Sequence, residues 1–160
     1  MSAAAATLPP ALAPTSGVFA QGAHHFPVRV YFEDTDAGGV VYHANYLRFM
    51  ERARSDMLRL LGISQRGALD DGAGVYAVSH LDIAFRAPAK LDDELVVISR
   101  MTGVGGATVS IAQQVKRGQT LLAEASVTVA FLSAQGRPRR QPREWVALFT
   151  SITSGEPSPQ

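Results

Sequence analysis

The sequence predicts an α+β domain in which an antiparallel sheet of five or six strands wraps around one long helix. Three observations lead there. The stretch Asn45 to Leu61 carries apolar residues at helical spacing. Four later stretches alternate apolar and polar residues at the period of a strand. The turns between the last three of them are short and hold glycine, as antiparallel hairpins require.

Taken in order, residues 1–25 are rich in Ala and Pro and are expected to form a disordered extension, because Pro9, Pro10 and Pro14 break any helical turn. Val28 to Phe32 alternates apolar residues with a single Arg and reads as the first strand, ended by an acidic cluster. In the helix, Tyr46, Met50, Ala53, Met57, Leu60 and Leu61 share one stripe, while Arg48, Arg52, Asp56 and Arg59 fall opposite, and Gly62 supplies the stop. Gln65 to Gly74 reads as a loop with irregular helical structure. Tyr76 to Arg86 follows as a strand with Ala77, Ser79, Leu81, Ile83 and Phe85 on one face. Glu94 to Met101, Ala107 to Val115 and Leu121 to Phe131 complete a meander. Arg143 to Thr150, with Trp145, Leu148 and Phe149, is expected to close the fold as a short helix or packing segment, and 151–160 to fray. The sheet edges need pairing in a larger assembly, so at least a dimer is expected.

At 160 residues and 17.1 kDa the chain suffices for one domain, expected over 26–150. A formal charge of +1 gives no field that would draw it to nucleic acid. With no cysteine there is no disulfide framework, thiolate zinc site or Cys nucleophile, which fits a reducing, cytoplasmic setting. The N-terminal segment lacks the basic and apolar regions of a signal peptide, and no stretch approaches the roughly 20 apolar residues of a membrane span.

Between the first strand and the helix, Glu33, Asp34 and Asp36 crowd against Gly38, Gly39 and His43. A lone carboxylate before a helix reads as a cap, but three acids, a glycine pair and a histidine together read as a site. Gly38 and Gly39 allow a ligand to approach the backbone closely. Glu33 and Asp34 read as structural, orienting the loop or pairing with Arg52 or Arg54, or as like charges that raise Asp36. Gly103, Gly105 and Gly106 lack the Lys-Ser or Lys-Thr of a phosphate loop and read as a hairpin turn. His24, His25 and His80 have no metal-ligand spacing with the acids.

The run Tyr31-Phe32-Glu33-Asp34-Thr35-Asp36-Ala37-Gly38-Gly39-Val40-Val41-Tyr42-His43-Ala44-Asn45-Tyr46, followed by Glu51-Arg52-Ala53-Arg54, closely resembles the signature of hotdog-fold acyl-CoA thioesterases. Specifically, it looks like the Tol-Pal-associated YbgC branch of the 4-hydroxybenzoyl-CoA thioesterase family. Phe85 to Leu95 and Gly136 to Pro142 extend the likeness, which covers roughly residues 27 to 145. The resemblance implies a hotdog fold, dimers or dimers of dimers with sites at subunit interfaces, and no cofactor or metal. It places the family's catalytic aspartate at Asp36 and the helix-start residue, usually Tyr or His, at His43.

Thioester hydrolysis requires stabilisation of the oxyanion and either an activated water or a carboxylate nucleophile. The unpaired amides at the helix start, near His43 and Ala44, would supply the first, and Asp36 either form of the second. His43 acts as a general acid or only through its backbone amide. Tyr31, Gly38, Gly39, Val40, Tyr42, Ala44 and Glu51 are the expected substrate contacts. Arg86, Lys90, Arg137 and Arg139, with Arg140, are candidates for the CoA phosphates. The expected partners are acyl-CoA, with acyl carrier protein as a further candidate, and the expected location is the cytoplasm or the periphery of the inner membrane. Two other readings compete: a non-catalytic scaffold for acyl groups or acyl carrier protein at the cell envelope, and metal-dependent hydrolysis through Glu33, Asp34, Asp36 and His43.

Overall fold

The computed structural model describes residues 14–155, so the outer parts of the expected extension and tail lie outside the described residues. Six strands form one antiparallel sheet: β1 (Val18–Ala20), β2 (Ala23–Arg29), β3 (Val75–Phe85), β4 (Glu94–Val104), β5 (Thr108–Arg117) and β6 (Thr120–Leu132). Their order is β1-β2-β4-β5-β6-β3. One face of the sheet packs on the long helix α1 (His43–Leu60), and α2 (Gln65–Asp70) and α3 (Arg143–Thr153) close one end.

Helix α1 begins two residues earlier than the apolar pattern predicts and ends where Gly62 stops it. Gly62 lies at φ 77°, its amide bonds to Arg59 O at 3.0 Å, and the Ile63 amide reaches back to Leu58 O at 2.9 Å. This is a Schellman turn, with Ile63 and Leu58 both buried beside it. The buried stripe is Tyr46, Phe49, Met50, Ala53, Met57 and Leu58, whereas Leu60 is exposed. The meander holds for β4, β5 and β6, but β3 crosses to the far edge and pairs with β6. Alternation specifies which face a strand buries, not which strand it pairs with. A bulge between Val78 and His80 also breaks the expected alternation, so Tyr76, Leu81 and Ile83 pack on the core rather than Ala77 and Ser79. The segment after α1 is a short helix, with Ser64 Oγ accepting from the Gly67 amide at 3.0 Å, and α3 runs on to Thr153, into the tail expected to fray.

The ordered chain also reaches back into the segment expected to be disordered. Gln21 and Gly22, both at positive φ, make a two-residue hairpin turn between β1 and β2. β2 therefore runs over Ala23–Arg29 rather than Val28–Phe32. Pro27 is tolerated because β1 pairs only as far as His25, so its missing amide faces no strand.

The hairpin is tied to α1 by a buried polar cluster. His24, fully buried, has its Nε2 2.7 Å from Asp56 Oδ2, and the same carboxylate accepts from Ser16 Oγ and the Gly17 amide. Asp56, expected on the solvent face, is thus buried at 3 % exposure because three partners replace its water. His24 Nδ1 has no partner, so protonation would strand a buried N–H; the ring is neutral and donates through Nε2. Burial pushes His24 below its ordinary 6.5, against the pull of Asp56. Burial alone would raise Asp56, but the Ser16 hydroxyl, the Gly17 amide and His24 outweigh it and hold the carboxyl below its usual value. For both groups the unfolded chain binds protons first as pH falls, so stability is full above the ordinary His range and declines on acidification from about pH 6.5 downward. Urea titrations at pH 7.5 and 5.5 check this. Asp56→Asn, which faces one donor with another and removes the charge that pulls His24 upward, is expected to cost about 1–3 kcal/mol at pH 7.5 and to leave the loss between pH 7.5 and 5.5 at least as large.

Candidate active site

Beyond β2 the chain leaves the sheet, with the Val30 amide on Asp93 O at 3.0 Å, and makes a single 3-10 turn over Phe32–Asp34. Buried Asp34 organises the loop from this turn to the helix. Its Oδ2 accepts from the Tyr31 amide at 2.8 Å, and its carbonyl accepts from the Tyr42 amide and from Asn45 Nδ2, both at 2.9 Å. Asp34 therefore orients the loop through backbone groups and not through an ion pair with Arg52 or Arg54. Arg54 pairs with Glu51 instead, and Glu33 is exposed with no ion pair among the described residues.

Asp36 sits at the head of the glycine turn. Its amide donates to Val40 O at 2.9 Å, its carbonyl accepts from Gly39 at 3.0 Å, and its Oδ1 accepts from the Gly38 amide at 2.8 Å. Gly39 adopts φ 79°, and a Cβ on Gly38 would stand 3.1 Å from Asp36 Oδ1, so both glycines serve this turn. Oδ2 receives no hydrogen bond among the described residues, and the side chain is exposed. A bridge from Thr35 to Val41 closes the loop on itself, and one from Val40 to Lys90 fastens it to the segment between β3 and β4. That segment is in turn anchored to α1, because the Ala89 amide donates to Tyr46 Oη at 3.0 Å in a buried position. The Lys90 amide, followed by Arg117, holds Asp93 below the usual carboxylate range and fixes the other side of the segment.

The loop runs directly into α1. Tyr42 is the N-cap residue, but its side chain caps nothing, and among the described residues the His43 and Ala44 amides have no acceptor. The His43 imidazole makes ring contacts only, edge-on to Tyr42 at 4.5 Å and to Phe85 at 6.1 Å. Phe85 also packs on Tyr46 at 5.6 Å, so the end of β3 forms one wall beside the helix start.

Among the expected contacts, Gly38, Gly39, Val40, Tyr42, His43, Ala44 and Lys90 belong to this loop, its bridge or the helix start. Arg86 follows Phe85 and pairs with Glu124 at 2.7 Å. Tyr31 lines a different groove with Pro27, Arg52 and Glu94. Glu51 lies two turns along α1 beside Val78. Arg137 and Arg139 follow β6 at the opposite end of the sheet, where Arg139 donates to Gly72 O at 2.8 Å, so one chain does not bring them to Asp36. No group of three or more His, Asp or Glu side chains converges as a metal site among the described residues, so Glu33, Asp34, Asp36 and His43 do not gather into one. Asn45 and Tyr46, which hold the loop in place, read in the sequence only as a helix start and a core aromatic.

The thioesterase superfamily profile matches residues 38–128, more than half of the chain. The chain is 45% identical to the acyl-CoA thioesterase YbgC of Haemophilus influenzae over 125 residues, 78% of this chain and 92% of that protein. It is 41% identical to the acyl-CoA thioester hydrolase YbgC of Escherichia coli O6:H1 over 126 residues, 78% of this chain and 93% of the relative. Among solved structures, a probable thioesterase from Bartonella henselae superposes with a TM-score of 0.71 at 39% identity, covering 75% of this chain and 99% of that one. The six-stranded sheet around one helix is thus the hotdog fold of these enzymes, and the chain belongs to the thioesterase superfamily.

Proposed function

We propose that this protein hydrolyses the thioester of an acyl-CoA to a free acid and CoA, with Asp36 as the reacting carboxylate. The observation that carries this reading is the continuity between an exposed aspartate with an unengaged Oδ2 and a helix start whose first amides lack acceptors. Relatives bearing the name acyl-CoA thioesterase support the substrate class. The thioester oxygen accepts from the His43 and Ala44 amides, where the positive end of the helix dipole favours the developing oxyanion. Asp36 Oδ2 either attacks the thioester carbon, giving an anhydride that water opens, or takes a proton from the attacking water; in both routes the thiolate of CoA leaves and is protonated. Lys90 and Arg86, flanking the loop, meet the phosphates of CoA.

The same reading includes a cytoplasmic homo-oligomer, a dimer or dimer of dimers. Strand β3 is an edge with exposed Val75, Val78 and Phe85, a surface suited to a second copy. Thiol release from a panel of aliphatic and aromatic acyl-CoA esters tests the proposal, with turnover on at least one expected. Saturable binding of acyl-CoA or acyl carrier protein without release of CoA would overturn it in favour of a binding scaffold.

A further inference from the structure

The geometry points to the Arg54–Glu51 ion pair as the stop of the acyl site, closing a groove that leads from the catalytic loop and restricting this enzyme to short and medium acyl chains. The inference rests on the thioesterase reading and adds the substrate range. Helix α1 and edge strand β3 run in opposite directions with a groove between them. Phe85 packs on His43 and Tyr46 at the catalytic end, Leu81 shares the next stretch with Leu47 and Val127, and Val78 then meets Glu51 and Arg54. Glu51, Arg54 and Val78 also border a second cavity, of about 80 Å³, whose deeper walls are apolar: Met57, Met101, Val109, Ile111 and Phe149. The two spaces share Glu51, Arg54 and Val78 as their common border; Arg48 also lines the first, and Glu51 and Arg54 are the only charged residues lining the second.

The pair is built to stay in place. Arg54 has a side chain only 11 % exposed, and one guanidinium nitrogen donates to Gln113 Oε1 at 2.7 Å while the other engages Glu51. Gln113 is itself buried and donates to Met50 O at 3.1 Å and Ser99 Oγ at 2.9 Å, which fixes it to helix and sheet together. Swinging Arg54 aside for a hydrocarbon would leave a buried cation and a buried amide unpaired. At about 1.5 Å of rise per residue, His43 to Glu51 spans roughly 12 Å, which accommodates about eight to ten carbons of extended chain. Up to that length each added methylene is worth about fourfold in kcat/KM, and beyond it nothing.

The test is the chain-length profile of kcat/KM from butanoyl-CoA through octanoyl-CoA to palmitoyl-CoA. The unaltered protein is expected to peak near octanoyl-CoA. Arg54→Met, which keeps the volume and leaves the exposed Glu51 to water, should raise the palmitoyl-to-octanoyl ratio by about tenfold or more. Leu47→Trp, which fills the groove before the stop, should lower the octanoyl-to-butanoyl ratio by a similar factor and decides the matter if Arg54→Met does not fold. Variant profiles parallel to that of the unaltered protein, or an unaltered profile still rising at palmitoyl-CoA, overturn the stop while leaving hydrolysis standing. Failure of the unaltered protein to hydrolyse any acyl-CoA overturns the thioesterase reading beneath it.

Discussion

Asp36→Asn is expected to lower kcat/KM for acyl-CoA hydrolysis by about 10²–10⁴-fold, the range of a positioned proton acceptor or more, with the thermal midpoint unchanged. The reason lies in how the two carboxylate oxygens divide their work. Oδ1 holds the Gly38 amide at 2.8 Å, and an asparagine carbonyl makes the same bond, so the glycine turn and its bridges survive the exchange. Oδ2 becomes an NH₂ group, which can neither attack a thioester carbon nor take a proton from water. Because the side chain is exposed and supports no core contact, there is no packing to lose. Steady-state assays on the best acyl-CoA, read beside a thermal melt, separate chemistry from folding. Turnover within a few-fold of the unaltered protein in Asp36→Asn would remove the aspartate from the reaction.

The acidic run and the glycine pair were legible as a candidate site because no ordinary turn needs that density of charge, and Asp36 and the helix start lie at the two ends of one short loop. The helix and the β4 to β6 hairpins were legible for a similar reason, since periodicity and turn chemistry are local signals. The features that stayed hidden depend on partners distant in sequence. Asp56 reads as a surface residue by helical spacing, and only Ser16, Gly17 and His24, 40, 39 and 32 residues earlier in the chain, make it a core one. The β1–β2 hairpin was obscured by the Ala and Pro around it and by histidines that look polar in sequence but are half-buried or buried in the sheet. The same limit applies to Arg54, which the sequence offers as a partner for Glu33 or Asp34 and which pairs instead with Gln113 across 59 residues and with Glu51. Arg137 and Arg139 show the reverse, a motif likeness that a single chain leaves at the other end of the sheet from Asp36.

His43→Pro is expected to reduce kcat by about 10²–10³-fold while His43→Ala loses no more than about tenfold, and the contrast decides how His43 acts. His43 is the first residue of α1, a position where proline fits because its fixed φ is helical and no amide bond is sacrificed. Tyr42, at φ −60° and ψ 132°, already has the extended conformation that a following proline demands. The substitution therefore deletes one N–H from the helix start and leaves the helix standing, which a far-UV spectrum verifies. Removing one oxyanion donor costs about 2.7–4 kcal/mol in the transition state, so the loss falls on kcat. His43→Ala keeps the amide and removes only the ring contacts with Tyr42 and Phe85, worth about 0.5–1.5 kcal/mol for aromatic pairs. Were the imidazole the general acid that protonates departing CoA, both variants would fall together, and kcat in His43→Ala would drop as far as in His43→Pro.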